Sequence, residues 1–432
     1  MKSFTERRII LSNVDVIDPE RIEDYLERGG YGGLRAALGR APADVVEELK
    51  ESGLRGRGGA GFPTGLKWEF VLKSRAKTRY VVCNADEGEP GTFKDRVLME
   101  GDPHRLIEGM AICGYAVGAR RGFIYVRGEY TLSIRRLERA IAQARERGLL
   151  GRNIMGSDFS FDIEIRAGAG AYVCGEETAL LESMEGKRGW PRIRPPFPAE
   201  RGFRGRPTVV NNVETLANVP EIVRRGAAWY RTLGTADSPG TKLYPLLGNL
   251  NRTGLVEAEM GIPLRTLVFD LGGGPPEGHE LKGVLVGGAA GAFLAPDELD
   301  VPMDFGSLRR IGATLGSGSV LAFDDTACVV DLLGSVLSFF AHESCGQCTP
   351  CRVGTAILVD LLARVQSGNG DPAVLDAMRR ATEVMEVASL CPLGQSVGLP
   401  VGTALEKFRG EFESHLTQGP CPRCKATMEV RV

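Results

Sequence analysis

Cys345-Gly346-Gln347-Cys348-Thr349-Pro350-Cys351 repeats cysteine at every third position, and Cys391, followed by Pro392, stands well downstream. Three thiolates at C-x2-C-x2-C spacing can wrap one corner of a cubane, and a distant cysteine before a proline can close it. The pattern predicts a [4Fe–4S] cluster on Cys345, Cys348, Cys351 and Cys391. A zinc site of four cysteines is the alternative, although zinc ligands usually come as two separated pairs. Cys421-Pro422-Arg423-Cys424 is a lone C-x-x-C: half of a metal site shared with a partner, or a bare tail. Cys83, Cys113, Cys174 and Cys328 are scattered and read as core residues, with Cys174 inside a candidate site loop.

A second chemical stretch is Gly56-Arg57-Gly58-Gly59-Ala60-Gly61-Phe62-Pro63, with Lys67 and Trp68 just beyond it. Glycine has no Cβ, so backbone N–H groups can come close to a ligand. Arg57 and Lys67 offer positive charge to a phosphate. Phe62 and Trp68 offer flat apolar faces to a ring. The stretch predicts a cradle for a phosphorylated, ring-containing cofactor. Gly56, Gly58 and Gly61 fit G-x-G-x-x-G, but the dinucleotide fingerprint needs a strand before it. Residues 43–53 read as a helix instead, with Val45, Val46 and Leu49 at helical spacing. A plain glycine-rich surface loop is the alternative.

Three further loops carry polar groups. Asn84-Ala85-Asp86-Glu87-Gly88-Glu89-Pro90-Gly91 gathers carboxylates, which accept hydrogen bonds from a polyol or a carboxamide and repel phosphate. A Mg2+ loop or a solvated acidic turn would look the same. In residues 170–178, Glu176 and Glu177 stand at a helix N-terminus, where the dipole favours negative charge; a capping role suffices to explain them. Asn211-Asn212 can donate and accept at the edge of a heterocycle, or form a turn. Residues 189–207 hold Trp190, Phe197 and Phe203 among prolines and arginines. Structureless loops of this length are usually functional or disordered. Phe197 can stack an adenine or pack beneath the loop.

These loops need a scaffold. Short apolar strands are predicted at 79–83, 122–127, 159–166 and 208–210, with amphipathic helices between them. This alternation implies a mostly parallel sheet with helices on its faces, and such sheets bind ligands beyond the carboxyl ends of their strands. Residues 1–53 read as a polar helical segment without chemistry. Residues 241–327 change to short β-like runs (243–247, 283–286, 320–323) with one short helix near 262–269. From 328 to 418 the pattern is helical, with a stripe of Val329, Leu332, Leu333, Val336, Leu337 and Phe340 followed by helices at 352–366, 372–387 and 401–416. That implies a helix bundle.

The 432 residues allow about three domains. With 43% hydrophobic and 25% charged residues the composition is that of a globular protein, and a formal net charge of −2 gives no argument for nucleic acid as a partner. Ile9-Ile10-Leu11 is too brief for a signal-peptide core. The apolar run 283–295 is shorter than the roughly 20 residues needed to cross a bilayer. A cytoplasmic protein without direct membrane insertion is expected.

Taken together, the glycine stretch, the Asn84–Gly91 motif, Gly175-Glu176-Glu177-Thr178-Ala179-Leu180 and residues 343–352 with Cys391 resemble one family. It is the NADH-binding flavoprotein (F-type) subunit of NADH:quinone oxidoreductase, with the diaphorase subunits of NAD-linked hydrogenases and formate dehydrogenases. The resemblance covers residues 54–416. It implies α/β architecture: a Rossmann-like FMN domain (54–240), a β-grasp, ubiquitin-like domain (241–327) and a four-helix bundle carrying the [4Fe–4S] cluster (328–418), flanked by 1–53 and a 419–432 tail. It implies FMN held by Gly58, Lys67, Asn84, Asp86, Asn211, Asn212, Thr215 and the loop from Tyr172 through Gly175 to Glu176, with Glu87 beside them. Glu89 and Glu177 would meet the nicotinamide, and Phe62, Phe70 and Phe197 the adenine of NADH. No side chain is expected to act as acid or base. The implied partners are an E-type [2Fe–2S] subunit and a larger iron–sulfur subunit. A diaphorase role in a soluble hydrogenase or formate dehydrogenase, and a scaffold that has lost its flavin, are the competing readings.

Overall fold

The computed structural model describes residues 5–369 and 371–430. Four strands, β1 (Tyr80–Ala85), β2 (Arg121–Val126), β3 (Asp162–Ala167) and β4 (Thr208–Asn212), form a sheet in the order β3-β2-β1-β4. All three pairings are parallel. Side chains alternate across it. Val81, Cys83 and Ala85 enter one core, and Val82 enters the other. A strand buried on both faces must be apolar at nearly every position, which is why β1 shows no alternation in sequence. Helices Pro103–Val117 and Val213–Arg225 supply much of the first core, and the second runs into the C-terminal helices.

The predicted strands at 79–83, 122–127 and 208–210 fall within two residues of those observed, and that at 159–166 starts three residues late, at Asp162. Chain order reverses direction between β1 and β4, where Asn84 lies directly opposite Asn212. A crevice opens at the carboxyl ends of strands at such a switch point.

A second sheet joins β5 (Thr241–Gly248), β6 (Gly254–Glu259), β7 (Leu281–Val286), β8 (Ala292–Leu294) and β9 (Val320–Asp324) in the order β6-β5-β9-β7-β8. Only β5 and β9 run parallel. The short helix expected near 262–269 spans Thr266–Leu271. Strands β6 and β8 had no clear sequence signal. In β6 the polar Glu257 is fully buried, which hides the strand's apolar pattern.

The N-terminal residues are helical over Ile22–Glu27, Gly32–Leu38 and Pro42–Glu51, but they are less polar than they read. Ile10, Leu11, Tyr25, Tyr31 and Leu34 are buried in the same core as the parallel sheet. Two buried carboxylates hold them there. Glu257 accepts the N–H groups of Ile9, Ile10 and Leu11, and Glu108 accepts those of Tyr31 and Leu34. Backbone donors in an irregular buried segment need such partners.

The C-terminal helices run Val329–Glu343, Thr349–Gln366, Ala373–Ala388, Gly398–Lys407, Arg409–Gln418 and Pro422–Val430. The helix expected at 401–416 is therefore two, broken at Phe408, whose ring packs on Phe323. Among the described residues no helix is long and apolar enough to cross a membrane.

Candidate cofactor site

The glycine loop follows helix Pro42–Glu51 and leads into helix Thr64–Leu72. It is pinched shut at its base, where Arg55 bridges Pro63 and the Gly56 N–H donates to the Phe62 carbonyl. The loop lies against the end of β4: a Cβ on Gly58 would stand 2.9 Å from Asn212 Cβ. Gly61 has φ +63, and a Cβ there would strike the Phe305 ring at 2.5 Å. Gly59 faces open space, as a cradle floor should. Ala60 is exposed beside it.

Two expectations about this stretch are corrected. Arg57 is completely buried, and its guanidinium donates to the carbonyls of Thr241, Arg55 and Pro239 and to the Tyr230 hydroxyl. Its backbone N–H donates to Thr215 Oγ1. Arg57 and Thr215 therefore hold the loop's shape, and Arg57 has no charge to offer a phosphate. Trp68 is also buried, its indole N–H donating to Asn211 Oδ1 at 2.8 Å. It shows no face to a ring. Phe62, Phe70 and Phe197 do, at 44%, 49% and 51% exposure.

Lys67 projects from the helix after the loop. Its ammonium donates to the Val210 carbonyl and pairs with Glu177, each at 3.0 Å. Arg194 approaches Glu177 at 3.5 Å and Glu176 at 3.7 Å. Glu176 caps helix Glu177–Met184: its Oε2 accepts the N–H groups of Thr178 and Ala179. Its Oε1 is buried without a hydrogen-bond partner.

The acidic loop splits its three carboxylates. Asp86 Oδ2 is buried and unpartnered, under Gly175. Burial pushes this carboxyl up to about 7 against the opposing pull of Arg127. Glu87 turns the other way: it accepts the N–H groups of Asp95 and Arg96 and the Tyr130 hydroxyl. It caps helix Lys94–Gly101, which corrects its assignment to the cofactor. Glu89 accepts the Ala290 N–H and sits against Gly288. It bridges to the second sheet, and burial raises it to about 7. Asn84 donates to the Gly175 carbonyl, so the acidic loop and the Tyr172–Gly175 turn meet.

Sequence reading missed Lys94. It is buried, pairs with Asp95 at 2.8 Å and Glu214 at 3.0 Å, and approaches Asn212 Oδ1 at 3.4 Å. Burial opposes its charge, but Asp95, Glu214 and Glu87 outweigh that and hold its pKa high. A lysine beside an aspartate at a helix start looks like a surface pair, and only Glu214, distant in sequence, betrays it.

The thiols lie beside this site. Cys351 and Cys391 are buried, while Cys345 and Cys348 are half-buried. Cys348 and Cys391 stand at the N-caps of helices Thr349–Gln366 and Pro392–Gln395, where the dipole favours a thiolate. Burial pushes Cys391 up to about 11, and Cys345 adds to it. The Tyr172 N–H donates to Glu343 Oε2 at 2.9 Å, and the Tyr172 ring packs edge-on against Phe339. Trp190 Nε1 donates to the Cys345 carbonyl. The Tyr172–Gly175 turn is thus bonded to the residue two places before Cys345.

This pairing of a glycine-loop cradle with a run of thiols matches known proteins. Residues 49–221 fit the profile of the Nuo51 FMN-binding domain, and residues 331–415 that of the NADH-ubiquinone oxidoreductase-F iron-sulfur binding region. The chain is 51% identical to the F 2 subunit of NADH-quinone oxidoreductase from Rhizobium meliloti, over 96% of this chain and 99% of that one. It belongs to the family of F-type subunits. It is also 50% identical to the NADP-reducing hydrogenase subunit HndC of Solidesulfovibrio fructosivorans, over 96% of this chain and 84% of that one. A crystal structure of an NAD+-reducing [NiFe]-hydrogenase superposes with TM-score 0.83 at 39% identity, covering 95% of this chain and 67% of that one.

FMN, NADH and a [4Fe–4S] cluster are the groups of this F-type chain, and its residues fit them. Asp86 Oδ2 is a buried acceptor without a hydrogen-bond donor, and Glu176 Oε1 has only the Arg194 guanidinium near it, at 3.7 Å, which suits the hydroxyls and ring N–H of a flavin. A single tetrahedral ion would need its ligand atoms close together. Among the described residues Cys345, Cys348, Cys351 and Cys391 form no such tight group, as expected for thiols around a larger cubane.

Proposed function

We propose that this chain is the NADH-oxidising subunit of a multi-subunit oxidoreductase. It takes hydride from NADH at FMN and sends the electrons onward through the [4Fe–4S] cluster to partner iron–sulfur subunits of a respiratory NADH:quinone oxidoreductase. The flavin supplies the conversion of a paired transfer into single ones. The protein supplies position and electrostatics. Gly58 and Gly59 leave room for the cofactor at the switch point. Asp86 accepts hydrogen bonds from its hydroxyls. Lys67, held between Val210 and Glu177, sets the charge beside it. Phe62, Phe70 and Phe197 give the dinucleotide's purine an apolar surface. Asn84, Asn211 and Asn212 complete the edge, partly through bonds they already make within the protein.

The observation that carries this reading is the Tyr172–Glu343 hydrogen bond. It ties the loop over Asp86 to the segment before Cys345, and Trp190 adds a bond to the Cys345 carbonyl, which supports a short path between the two groups. The order β6-β5-β9-β7-β8 supports a β-grasp reading of residues 241–327, with a Rossmann-like domain at 54–240 and a bundle at 328–418. An E-type [2Fe–2S] subunit and a larger iron–sulfur subunit would receive the electrons, holding this chain at a membrane only through themselves. The hydrogenase relatives favour a second reading, the same module in a soluble NAD-linked hydrogenase.

The test is anaerobic titration of the purified protein with NADH. Flavin absorption should bleach, and a [4Fe–4S] signal should appear by electron paramagnetic resonance. A protein inert to NADH overturns the proposal, and co-purifying subunits decide between the two complexes.

A further inference from the structure

A second group of thiols lies far from the cluster cysteines. Cys328, His415, Cys421 and Cys424 place their ligand atoms within 4.8 Å of one another. Cys328 Sγ is 3.8 Å from Cys424 Sγ and 3.6 Å from His415 Nε2, and Cys424 Sγ is 3.5 Å from the same nitrogen. A tetrahedral zinc with Zn–S about 2.3 Å and Zn–N about 2.0–2.1 Å separates two sulfurs by about 3.8 Å and a sulfur from a nitrogen by about 3.6 Å. The observed edges match that figure. A disulfide does not, because its sulfurs stand about 2.05 Å apart.

We propose that Cys328, His415, Cys421 and Cys424 form a structural zinc site of three thiolates and one imidazole. The surroundings are those of a metal centre. His415 Nδ1–H donates to the Glu411 carbonyl at 2.7 Å, which fixes the tautomer and aims Nε2 at the sulfurs. The Cys424 N–H donates to Cys421 Sγ at 3.4 Å, easing a thiolate's charge. Cys328 is the N-cap of helix Val329–Glu343. Cys328 and Cys424 are buried. Lys282 lines a cavity of about 630 Å3 beside the group, which gives the ion an entry path. Binding replaces three thiol protons with one divalent cation, so three protons leave and no electron moves.

The site closes the fold. Gly419 ends one helix and the C-x-x-C begins the next, so the metal pins helix Pro422–Val430 to the start of helix Val329–Glu343. The Arg423–Asp331 pair at 3.4 Å adds to this contact. Cluster residues follow the other end of that 15-residue helix, about 22 Å away at 1.5 Å per residue. All four ligands are supplied within the chain, so the C-x-x-C is not half of a site shared with a partner, and Cys328 is not merely a core residue.

Elemental analysis of the purified holoprotein tests this. About one zinc per chain is expected beyond the iron, with zinc X-ray absorption showing three sulfurs near 2.3 Å and one nitrogen. The double variant Cys421→Ser, Cys424→Ser should lose the zinc, keep iron and FMN, and become cleavable by trypsin at Arg423 or Lys425. Should that variant not fold, the wild-type absorption spectrum alone decides. Absent zinc, iron in its place, a Cys328–Cys424 disulfide by mass spectrometry, or zinc retained in the variant overturns the proposal. The Cys345→Ser variant should lose iron and keep zinc.

Discussion

Two groups of thiols sit at opposite ends of helix Val329–Glu343, and they differ in width. Cys345, Cys348, Cys351 and Cys391 lie beside the loop that covers Asp86, and no three of them bring their sulfurs within 4.8 Å of one another. Cys328, Cys421 and Cys424 crowd around His415. The wide group fits a redox cubane in contact with the flavin site, and the tight group fits one ion that fastens a chain end. The same division of labour recurs among carboxylates. Asp86 and its neighbour Glu87 share a loop, yet one is left without a partner for a ligand and the other is spent on a helix start. Chemical type is the same in both; what differs is unused bonding capacity.

That division can be broken by experiment. Cys391→Ser should have the largest effect. Electron delivery from NADH to a one-electron acceptor beyond the cluster should fall by two orders of magnitude or more, with iron reduced and FMN retained. Normal iron and normal transfer would show that Cys391 is no ligand. Asp86→Asn should weaken FMN binding by about ten- to a hundredfold, since a hydrogen bond to a charged group contributes about 1.5–3 kcal/mol. Unchanged affinity, measured by flavin fluorescence on dilution, would remove Asp86 from the site.

Asp86 also predicts a pH dependence. Its pKa without ligand is raised to about 7, and hydroxyl donors from a ligand favour the ionised form. Ionising the carboxyl therefore costs free energy below about pH 7, so FMN affinity should weaken as pH falls from 7 toward 5. The dependence should become shallower in Asp86→Asn, with the remainder left to Glu89, which burial also raises to about 7, and to the FMN phosphate, which titrates near about 6. Glu87→Gln supplies the contrast: a stability loss of about 1–2 kcal/mol from the weakened cap, read by thermal unfolding, with FMN affinity within about twofold. A collapse of FMN binding there would restore Glu87 to the ligand. The smallest effect expected is in Phe197→Ala. An about threefold rise in the KM for NADH corresponds to an aromatic contact of about 0.5–1.5 kcal/mol. No change would place Phe197 outside the dinucleotide surface.

Legibility followed sequence distance. The parallel sheet could be read because each of its strands is a short apolar run bounded by turns. The iron–sulfur region could be read because three of its cysteines share one loop. Arg57 was misjudged because its partners, Thr241, Pro239 and Tyr230, are remote in sequence. A basic residue between glycines looks available until those carbonyls are brought to it. Lys94 escaped for the same reason, through Glu214. Glu257 concealed β6, since a buried carboxylate satisfied by backbone donors is indistinguishable in sequence from an exposed one.

The sequence by itself determined the alternation of strands and helices, the glycine cradle and the C-x2-C-x2-C run, because each depends on local spacing and on what a residue type can do. Tertiary structure alone decided which carboxylates remain unsatisfied, which aromatics face outward, and that Cys328, His415 and the terminal C-x-x-C converge. Convergence of that kind is set by how helices and strands pack to bury apolar surface, and packing is a property of the whole chain.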